Sequence, residues 1–241
     1  MTAPHTPEQQ EASLVGATGE SCEESLNGAL AAASIELAPE QLERLDAYRE
    51  LLWAWNERMN LTRHTTFEKF ATRDVADTLE LAKLLRPDER VLDVGSGGGV
   101  PGIVLAIVRP DLRVSLCESV QKKAGALGDM VGQLGLDTPV YASRVDGLLE
   151  ARTFDTLVAR AVAPMKKMLR WLEPRWGSFD RLLLIKGRAW VDERGEARHH
   201  GLLRELELRK ASEYLTPRTD AVSVILSLTR GDGSNAGDLA P

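Results

Sequence analysis

The chain has 241 residues with a formal net charge of −6, and 43% of its residues are hydrophobic. That length fits one large α/β domain with a small appendage or two small domains, and the hydrophobic fraction excludes a disordered chain. No run of about 18 apolar residues occurs, so we expect no membrane-spanning helix. The two cysteines, Cys22 and Cys117, lack the spacing of a zinc site, and no secretory signal is visible at the first residues. These features predict a cytoplasmic, reduced protein with neither a metal site nor a membrane partner.

The acidic residues are unevenly distributed. Residues 1–38 hold six glutamates and no lysine or arginine, so the rest of the chain has as many basic as acidic residues. A segment with so few large apolar groups cannot offset the entropy lost on ordering, and we expect residues 1–38 to form a disordered acidic tail. A second loose end, Gly-rich and flexible, is expected over residues 231–241. Because the body of the chain is neutral, its basic residues can gather on one face and bind nucleic acid.

Two helices are predicted after the acidic tail. Pro39 suits a first helical position, and apolar residues recur at helical spacing from Leu42 to Met59. A second helical pattern covers residues 66–85 and ends before Pro87. We expect residues 39–88 to form an N-terminal helical cap on the domain that follows.

From residue 89 to residue 230, short apolar runs alternate with helical patterns. The predicted strands are residues 91–94, 114–118, 140–143, 156–159, 182–186, 207–215 and 222–228. Helical patterns occupy residues 101–108, 122–134, 164–172 and 192–206. Continuous apolar runs such as VLDV and LLLI are typical of parallel strands buried on both faces. The order predicts an α/β fold with a doubly wound, mostly parallel seven-stranded sheet and an antiparallel strand near its end.

The sharpest motif is VLDVGSGGGVPG, which spans residues 91–102 at a strand-to-helix junction. Its glycines let the backbone turn tightly and approach a ligand with no Cβ in the way. Glu118 follows at the end of the second strand, where a carboxylate can accept hydrogen bonds from both hydroxyls of a ribose. Together these residues predict a pocket for an adenosine-containing ligand at the carboxyl ends of the strands.

Two ligands compete for this pocket. Gly97, Gly99 and Gly102 satisfy GxGxxG, which alone is weak evidence for NAD. Asp93 argues against NAD because its carboxylate would face a pyrophosphate, whereas it can help to hold the cationic end of S-adenosylmethionine through its loop. The frame formed by Asp93, Gly95, Gly97 and Gly102 looks like the first motif of class I methyltransferases. The remaining interpretation is a tight glycine turn with no role in binding a ligand.

Several further motifs occur in a fixed order along the chain. They are W-N-x-x-x-N-L-T from Trp55, an Arg-x-x-x-Asp-Thr-Leu segment from Arg73, the glycine loop ending in Pro101 and Gly102, Glu118-Ser119 followed by Lys122-Lys123, the segment from Ser143 to Asp146, Ala159-Arg160-Ala161, and Lys186-Gly187. In this order, over about residues 45–228, the chain resembles the bacterial 16S rRNA (guanine-N7)-methyltransferase G family, also called glucose-inhibited division protein B. Separated motifs in the correct order are more specific than any one of them.

The resemblance implies a class I, Rossmann-like methyltransferase domain over residues 89–230 that methylates N7 of a specific guanine in 16S rRNA. It places S-adenosylmethionine against five residues, with Glu118 near the ribose; the five are Gly95, Val100, Val145, Asp146 and Arg160. The glycine motif adds Asp93, Gly97 and Gly99 to these expected contacts. Two departures from the family are visible. Asp74 stands where the family usually has His, and the C-terminus is acidic and Gly-rich rather than basic.

The chemistry that this family performs needs few catalytic groups. Guanine N7 carries a lone pair and no proton, so its methylation rests on proximity, alignment and desolvation, and we assign no acid–base catalyst. Arg160 is the candidate for positioning, through the methionine carboxylate, a base or a phosphate, and pairing with a surface carboxylate is the alternative. The basic residues expected near the carboxyl ends of the strands, and therefore expected to contact RNA, are Arg63, Arg73, Lys122, Lys123, Lys166, Lys167, Lys186 and Arg188.

The expected partner is 16S rRNA in the small ribosomal subunit or an assembly intermediate, bound by a monomer. Three alternatives stay open from the residues. The same fold can methylate another RNA or a small molecule. A nicotinamide-dependent oxidoreductase follows from GxGxxG alone, although no convincing hydride-transfer acid is present. A non-catalytic RNA-binding module is disfavoured by the intact glycine loop.

Overall fold

The structure, a computed structural model, describes residues 24–231. It contains a seven-stranded sheet in the order β3-β2-β1-β4-β5-β7-β6. The strands are β1 (Arg90–Val94), β2 (Arg113–Cys117), β3 (Val140–Tyr141), β4 (Phe154–Arg160), β5 (Phe179–Lys186), β6 (Leu206–Leu215) and β7 (Val222–Arg230). Strands β1 to β5 pair in parallel, and β7 lies antiparallel between β5 and β6. The predicted doubly wound α/β sheet is confirmed.

The central strands are buried along most of their length. In β1 every residue after Arg90 is buried, and β5 buries residues 182–185 without interruption. Continuous burial of this kind is typical of parallel strands covered by helices on both faces. Asp93 pairs with Leu116 on one side and with Val158 on the other, so β1, β2 and β4 end at one edge of the sheet.

Helices connect the strands and flank the sheet. They are α1 (Leu26–Ala32), α2 (Pro39–Asn56), α3 (Phe67–Lys69), α4 (Ala76–Ala82), α5 (Gly102–Val108), α6 (Gln121–Gln133), α7 (Val145–Ala151), α8 (Met165–Leu172) and α9 (Trp190–His199). A π-helical segment, Phe70–Val75, joins α3 to α4, and a 3-10 segment, Glu173–Ser178, follows α8. The two helical patterns predicted for the cap correspond to α2 and to the run from α3 to α4. Within residues 24–231 we find no helix long and apolar enough to cross a membrane.

The cap packs directly on the glycine loop. Tyr48 and Leu52 of α2 are fully buried, and the Tyr48 hydroxyl donates a hydrogen bond of 2.9 Å to the carbonyl oxygen of Gly98. Tyr48 also packs against Phe70, with ring centroids 6.0 Å apart. Burial of these large side chains stabilises the cap against the domain and fixes one wall of the space above the glycine loop.

The expected acidic tail is wrong for residues 24–38. Helix α1 begins there with Ser25 as its N-cap, whose hydroxyl accepts from the amide of Gly28, and it buries Leu26 and Leu30. These two leucines, one helical turn apart, find an apolar partner in the cap, so their burial compensates for the ordering of a polar segment. Residues 1–23, and the predicted flexible end after residue 231, lie outside the described residues.

Two further predictions need correction. Helix α7 was not expected, and the helix predicted for residues 192–206 ends at His199. Gly201 ends α9 because it adopts a φ of 73°, and the amide of Leu202 turns back to the carbonyl oxygen of Ala197 at 3.1 Å. A glycine in this conformation is a common helix stop.

Candidate active site

A cavity of about 1280 Å³ opens where β1, β2, β4 and β5 end. One part of its wall comes from the glycine loop after β1, and another from the segments after β2, β3, β4 and β5. The cap contributes residues 60–64 together with Leu52, Arg73 and Asp77. In open α/β sheets ligands bind at the carboxyl ends of the strands, which is the edge that this cavity occupies.

The glycine loop is shaped by a close approach that excludes a side chain. Gly95 has a φ of 68°, and a Cβ placed there would lie 2.6 Å from Cγ1 of Val162, in the segment after β4. Gly97 has a φ of 57° and faces open space, with no heavy atom nearer to its notional Cβ than 3.8 Å. The loop therefore closes on β4 at Gly95 and presents bare backbone to the cavity at Gly97.

Glu118 lies beside this loop and lines the cavity. Its side chain is buried, and Oε2 accepts a hydrogen bond of 3.0 Å from the Gly97 amide while Oε1 accepts one of 2.8 Å from the Val120 amide. Each carboxylate oxygen has a second lone pair, so these bonds orient Glu118 and leave it able to accept from a ligand hydroxyl. The position agrees with the role near a ribose that the family resemblance implies.

Asp93 and Gly99 support the loop instead of lining the cavity, which corrects two predicted cofactor contacts. Asp93 is 1% exposed and its Oδ2 accepts from the Gly102 amide at 3.1 Å, whereas its Oδ1 is buried without a hydrogen-bond partner among the described residues. Burial raises the pKa of Asp93 to about 7. A Cβ at Gly99 would lie 2.6 Å from Cδ1 of Ile103, inside the fold. Both residues act beneath the loop, where they determine its path.

The wall after β3 contains the predicted residues Val145 and Asp146, and both line the cavity. Asp146 begins α7 and forms two hydrogen bonds with Arg144, at 3.1 and 3.2 Å. These bonds lower the pKa of Asp146, so its carboxylate is an acceptor at neutral pH. Val100, also predicted, lines the cavity from the glycine loop.

Arg160, the last residue of β4, reaches two buried carboxylates. Its Nη2 lies 2.5 Å from Oδ1 of Asp74, and its Nη1 lies 3.3 Å from Oδ2 of Asp77 and donates to the carbonyl oxygen of Arg73 at 3.1 Å. Burial acts to lower the pKa of Arg160, but the two aspartates outweigh it and raise the pKa. The side chain is 16% exposed and lines the cavity, so the alternative of a surface ion pair is wrong.

A polar network extends from this arginine to the cap and to β6. Oδ1 of Asp74 lies 2.7 Å from Nδ1 of His64, and Oδ1 of Asp77 accepts from the hydroxyl of Tyr214 at 2.8 Å. Oδ2 of Asp74 is buried and has no hydrogen-bond partner within residues 24–231. Asp74, the position at which the chain departs from the family it resembles, therefore joins a histidine of the cap to Arg160 of the sheet.

The eight basic residues expected to contact RNA separate into two groups of four. The group that lines the cavity is Arg63, Arg73, Lys123 and Lys186, and the group that does not is Lys122, Lys166, Lys167 and Arg188. Lys186 is held by Glu193 at 2.8 Å and by the carbonyl oxygen of Ala163 at 3.0 Å. Arg188 lines a smaller cavity of about 460 Å³ together with Arg73. All four residues of the second group still follow the carboxyl ends of strands β2, β4 or β5, so contact with RNA stays a prediction for both groups.

Three residues of the site were missed by the sequence analysis: His64, Asp77 as a partner of Arg160, and Tyr214. Asp77 belongs to a motif that the family resemblance quoted, which was the only signal for it. Tyr214 lies 137 residues from the aspartate that it contacts, and no local pattern marks such a pair. No group of three or more His, Cys, Asp or Glu side chains that could hold a metal ion is found in the part of the chain that the structure describes.

Comparison with known proteins places the chain among RNA methyltransferases. The family model described as GidB, rRNA small subunit methyltransferase G, matches residues 41–218. A protein named ribosomal RNA small subunit methyltransferase G from Rhodopirellula baltica is 53% identical over 194 residues, which cover 80% of this chain and 83% of that protein. A protein of the same name from Chromobacterium violaceum is 38% identical and covers 67% of this chain and 78% of its own length.

Solved structures with low sequence identity share the fold. A mutant of MtNAS has a TM-score of 0.54 at 18% identity, covering 78% of this chain and 73% of its own. TrmK from M. capricolum, in complex with S-adenosyl-homocysteine, has a TM-score of 0.50 at 14% identity, covering 64% of this chain and 67% of its own. These likenesses agree with the α/β architecture of the described residues.

Proposed function

Because the chain belongs to the rRNA small subunit methyltransferase G (GidB) family, we propose that it transfers a methyl group from S-adenosylmethionine to N7 of one guanine in 16S rRNA. The observation that carries this proposal is the single cavity that brings the glycine loop and Glu118 together with Arg160. Its volume of about 1280 Å³ exceeds the roughly 300–1,000 Å³ of a pocket for one drug-sized molecule. The cavity is therefore large enough for a cofactor and a flipped base.

The residues present fit S-adenosylmethionine. The bare backbone at Gly97 leaves space beside the oriented carboxylate of Glu118, and the close contact of Gly95 with Val162 fixes the path of the loop around that space. We assign Gly95, Gly97, Val100 and Glu118 to the cofactor from one side and, from the wall after β3, Val145 and Asp146. When bound, the cofactor supplies an electrophilic methyl group.

The chain's own contribution is to hold the acceptor base and to exclude water. Guanine N7 has no proton to lose, so none of the residues needs to act as a general base. Proximity and alignment alone can supply about 7–11 kcal/mol in favourable cases. Hydrogen bonds hold Glu118 and Arg160 in the cavity wall, and such fixed groups suit catalysis of that kind.

Arg160 is the positioning residue of the site in this proposal. Asp74, Asp77 and the Arg73 carbonyl oxygen fix the guanidinium, so it loses little further freedom when a ligand binds. A fixed guanidinium can face the methionine carboxylate or an RNA phosphate with its remaining donors.

RNA contact is assigned first to the four basic residues that line the cavity, Arg63, Arg73, Lys123 and Lys186. Phosphate contacts of this kind position a nucleic acid without reading its sequence. We also propose that the protein acts in the cytoplasm on the small ribosomal subunit or its assembly intermediate. We propose that it does so as a monomer, because one chain supplies every wall of the cavity.

The test is to incubate the protein with labelled S-adenosylmethionine and small subunits from cells that lack this gene, and to map the labelled nucleoside by mass spectrometry. The expected result is 7-methylguanosine at one position of 16S rRNA. Label in a different nucleoside, or no label in subunits and in their deproteinised RNA while the protein binds S-adenosylhomocysteine, would contradict the proposal.

A further inference from the structure

His64 is fixed on the wall of the cavity by contacts with its backbone. Its amide donates to the Thr62 hydroxyl at 3.0 Å, and its carbonyl oxygen accepts from Nε1 of Trp53 at 3.1 Å. The preceding turn is held by Asn56, whose Oδ1 accepts from the amides of Leu61 and Thr62 at 2.8 and 2.9 Å. These bonds fix the backbone position from which the imidazole side chain projects.

The imidazole is oriented in turn by a buried carboxylate. Nδ1 of His64 lies 2.7 Å from Oδ1 of Asp74, which is fully buried and also pairs with Arg160. Since a carboxylate accepts hydrogen bonds, Nδ1 carries the proton, and in the neutral ring Nε2 keeps its lone pair. The His64 side chain is 27% exposed and lines the cavity. The neutral imidazole therefore offers an oriented hydrogen-bond acceptor, Nε2, in the wall of the cavity.

We propose that His64 contacts the target guanine, with Nε2 accepting a hydrogen bond from N1–H or from the 2-amino group of the base. This inference rests on the proposed function. Both donors belong to the edge of guanine remote from N7, and adenine has a bare acceptor at its own N1, so the contact selects guanine. Asp74 is then a positioning residue that acts through His64.

The same contact strengthens as the methyl group is transferred. Methylation makes the purine cationic, and a cationic purine is a better donor from N1–H, so the bond to Nε2 is stronger in the transition state than in the ground state.

Two substitutions of His64 separate this role from a structural one. In His64→Asn the amide group occupies the place of Nδ1 and keeps the bond to Asp74, but nothing reaches the place of Nε2. In His64→Gln the amide occupies the place of Nε2 and the bond to Asp74 is lost. The measurements are kcat and KM on small subunits, the affinity for S-adenosylhomocysteine and the thermal midpoint, all compared with the wild type.

We expect His64→Asn to lose about 30-fold in kcat with cofactor affinity and thermal midpoint unchanged. We expect His64→Gln to be less stable but to keep kcat within about fivefold of the wild type. The reverse order, or an equal loss in both variants, overturns the inference and leaves the contact with Asp74 a structural one. A wild-type protein that transfers no methyl group overturns the proposed function as well, whereas an active wild type with an unimpaired His64→Asn overturns the inference alone.

Discussion

Two buried clusters of charge lie at opposite ends of the central strands, and they differ in how completely their polar atoms are paired. At the carboxyl end, Arg160 meets Asp74 and Asp77 beside the cavity. At the amino end, Arg181 meets Glu89, with both carboxylate oxygens within 3.0 Å of its Nη2. In each cluster the arginine lies on a strand, and the carboxylates belong to residues outside that strand.

In the amino-end cluster both carboxylate oxygens of Glu89 have hydrogen-bond partners. Oε1 of Glu89 also accepts from the Thr156 hydroxyl at 2.6 Å, and Oε2 accepts from the Arg86 amide at 2.8 Å. Burial acts to raise the pKa of Glu89, but the hydrogen bonds from Thr156 and Arg86 together with Arg181 outweigh it, and the pKa is lowered. None of these residues lines the main cavity.

At the carboxyl end the pairing of buried carboxylate oxygens is less complete. Asp74 and Asp93 each keep one buried oxygen without a hydrogen-bond partner among the described residues, and burial raises the pKa of Asp93 to about 7. Glu89 directly precedes β1 and Asp93 lies within it, so their opposite pKa shifts come from burial and hydrogen-bond pairing and not from sequence neighbourhood. The difference teaches that the carboxyl end, which borders the cavity, pairs its buried polar atoms less completely than the amino end does.

The largest expected effect comes from a matched pair of arginine substitutions. Arg160→Met removes the arginine from two buried carboxylates, and Arg181→Met leaves Glu89 only the exposed guanidinium of Arg86, so each should lower the free energy of unfolding by about 3 kcal/mol. Only Arg160→Met should reduce methyl transfer, by at least about 100-fold, because only this residue positions a ligand. Urea denaturation and transfer assays per folded molecule measure both quantities, and equal loss of transfer in the two variants would contradict the comparison.

A second pair tests the carboxyl end through its backbone. Gly95→Ala and Gly97→Ala both place a Cβ at positive φ, which costs about 1–2 kcal/mol. Only Gly95→Ala adds a contact of 2.6 Å with Val162, so we expect it to weaken S-adenosylhomocysteine binding about 30-fold, against about fivefold for Gly97→Ala. Calorimetric titration measures both affinities. Equal affinities in the two variants would show that the close approach to Val162 does not shape the site.

The pH dependence of stability should have opposite signs at the two ends. From about pH 4 to about pH 7 the native state binds more protons at Asp93 than the unfolded chain does, so this residue lowers the free energy of unfolding as the pH rises, by at most about 1.4 kcal/mol per unit. Relative to the wild type, Asp93→Asn should therefore gain stability toward pH 7. Glu89, with a lowered pKa, contributes stability that is lost as the pH falls, so Glu89→Gln should differ least from the wild type in acid. Denaturation series from about pH 2 to about pH 8, a range that extends below ordinary carboxylate pKa values and above the pKa of Asp93, test both signs, and parallel curves for Asp93→Asn and the wild type would refute the first.

The smallest expected effect concerns two adjacent lysines at the start of α6. Lys123 lines the cavity and Lys122 does not. Lys123→Ala should raise the KM for small subunits about threefold, because one exposed phosphate contact is worth little, and Lys122→Ala should leave it unchanged. Steady-state kinetics at two salt concentrations would decide. A larger effect at Lys122 would move the RNA path away from the cavity rim.

The sequence predicted those parts of the molecule that local patterns determine. The seven strands and their doubly wound arrangement followed from apolar runs and helical patterns, and Gly95 and Glu118 line the cavity because each lies just past a strand that the pattern located. Val145 came from the family resemblance. Residues 26–32 were predicted as part of a disordered tail because composition alone describes a polar segment, and only the tertiary partner of Leu26 and Leu30 reveals the stable packing of helix α1.

The parts that the sequence did not predict depend on long-range contacts. Arg160 lies 86 residues from Asp74, and nothing local indicates that they pair or that His64 completes the group. Asp93 belonged to the correct motif, but whether its carboxylate faces the ligand or the backbone of Gly102 depends on how the loop folds back. Of the eight basic residues, only the fold could separate those that line the cavity from those that do not.

Amide hydrogen exchange with and without S-adenosylhomocysteine tests the contrast between the two ends most directly. The account predicts slower exchange on binding in peptides that cover residues 94–102, 117–121 and 143–147, at the carboxyl end of the sheet. It predicts no change in peptides that cover residues 86–90 and 179–182, at the amino end. Protection at the amino end, or none in the glycine loop despite saturating ligand, would contradict the assignment of the cavity as the cofactor and methyl-transfer site.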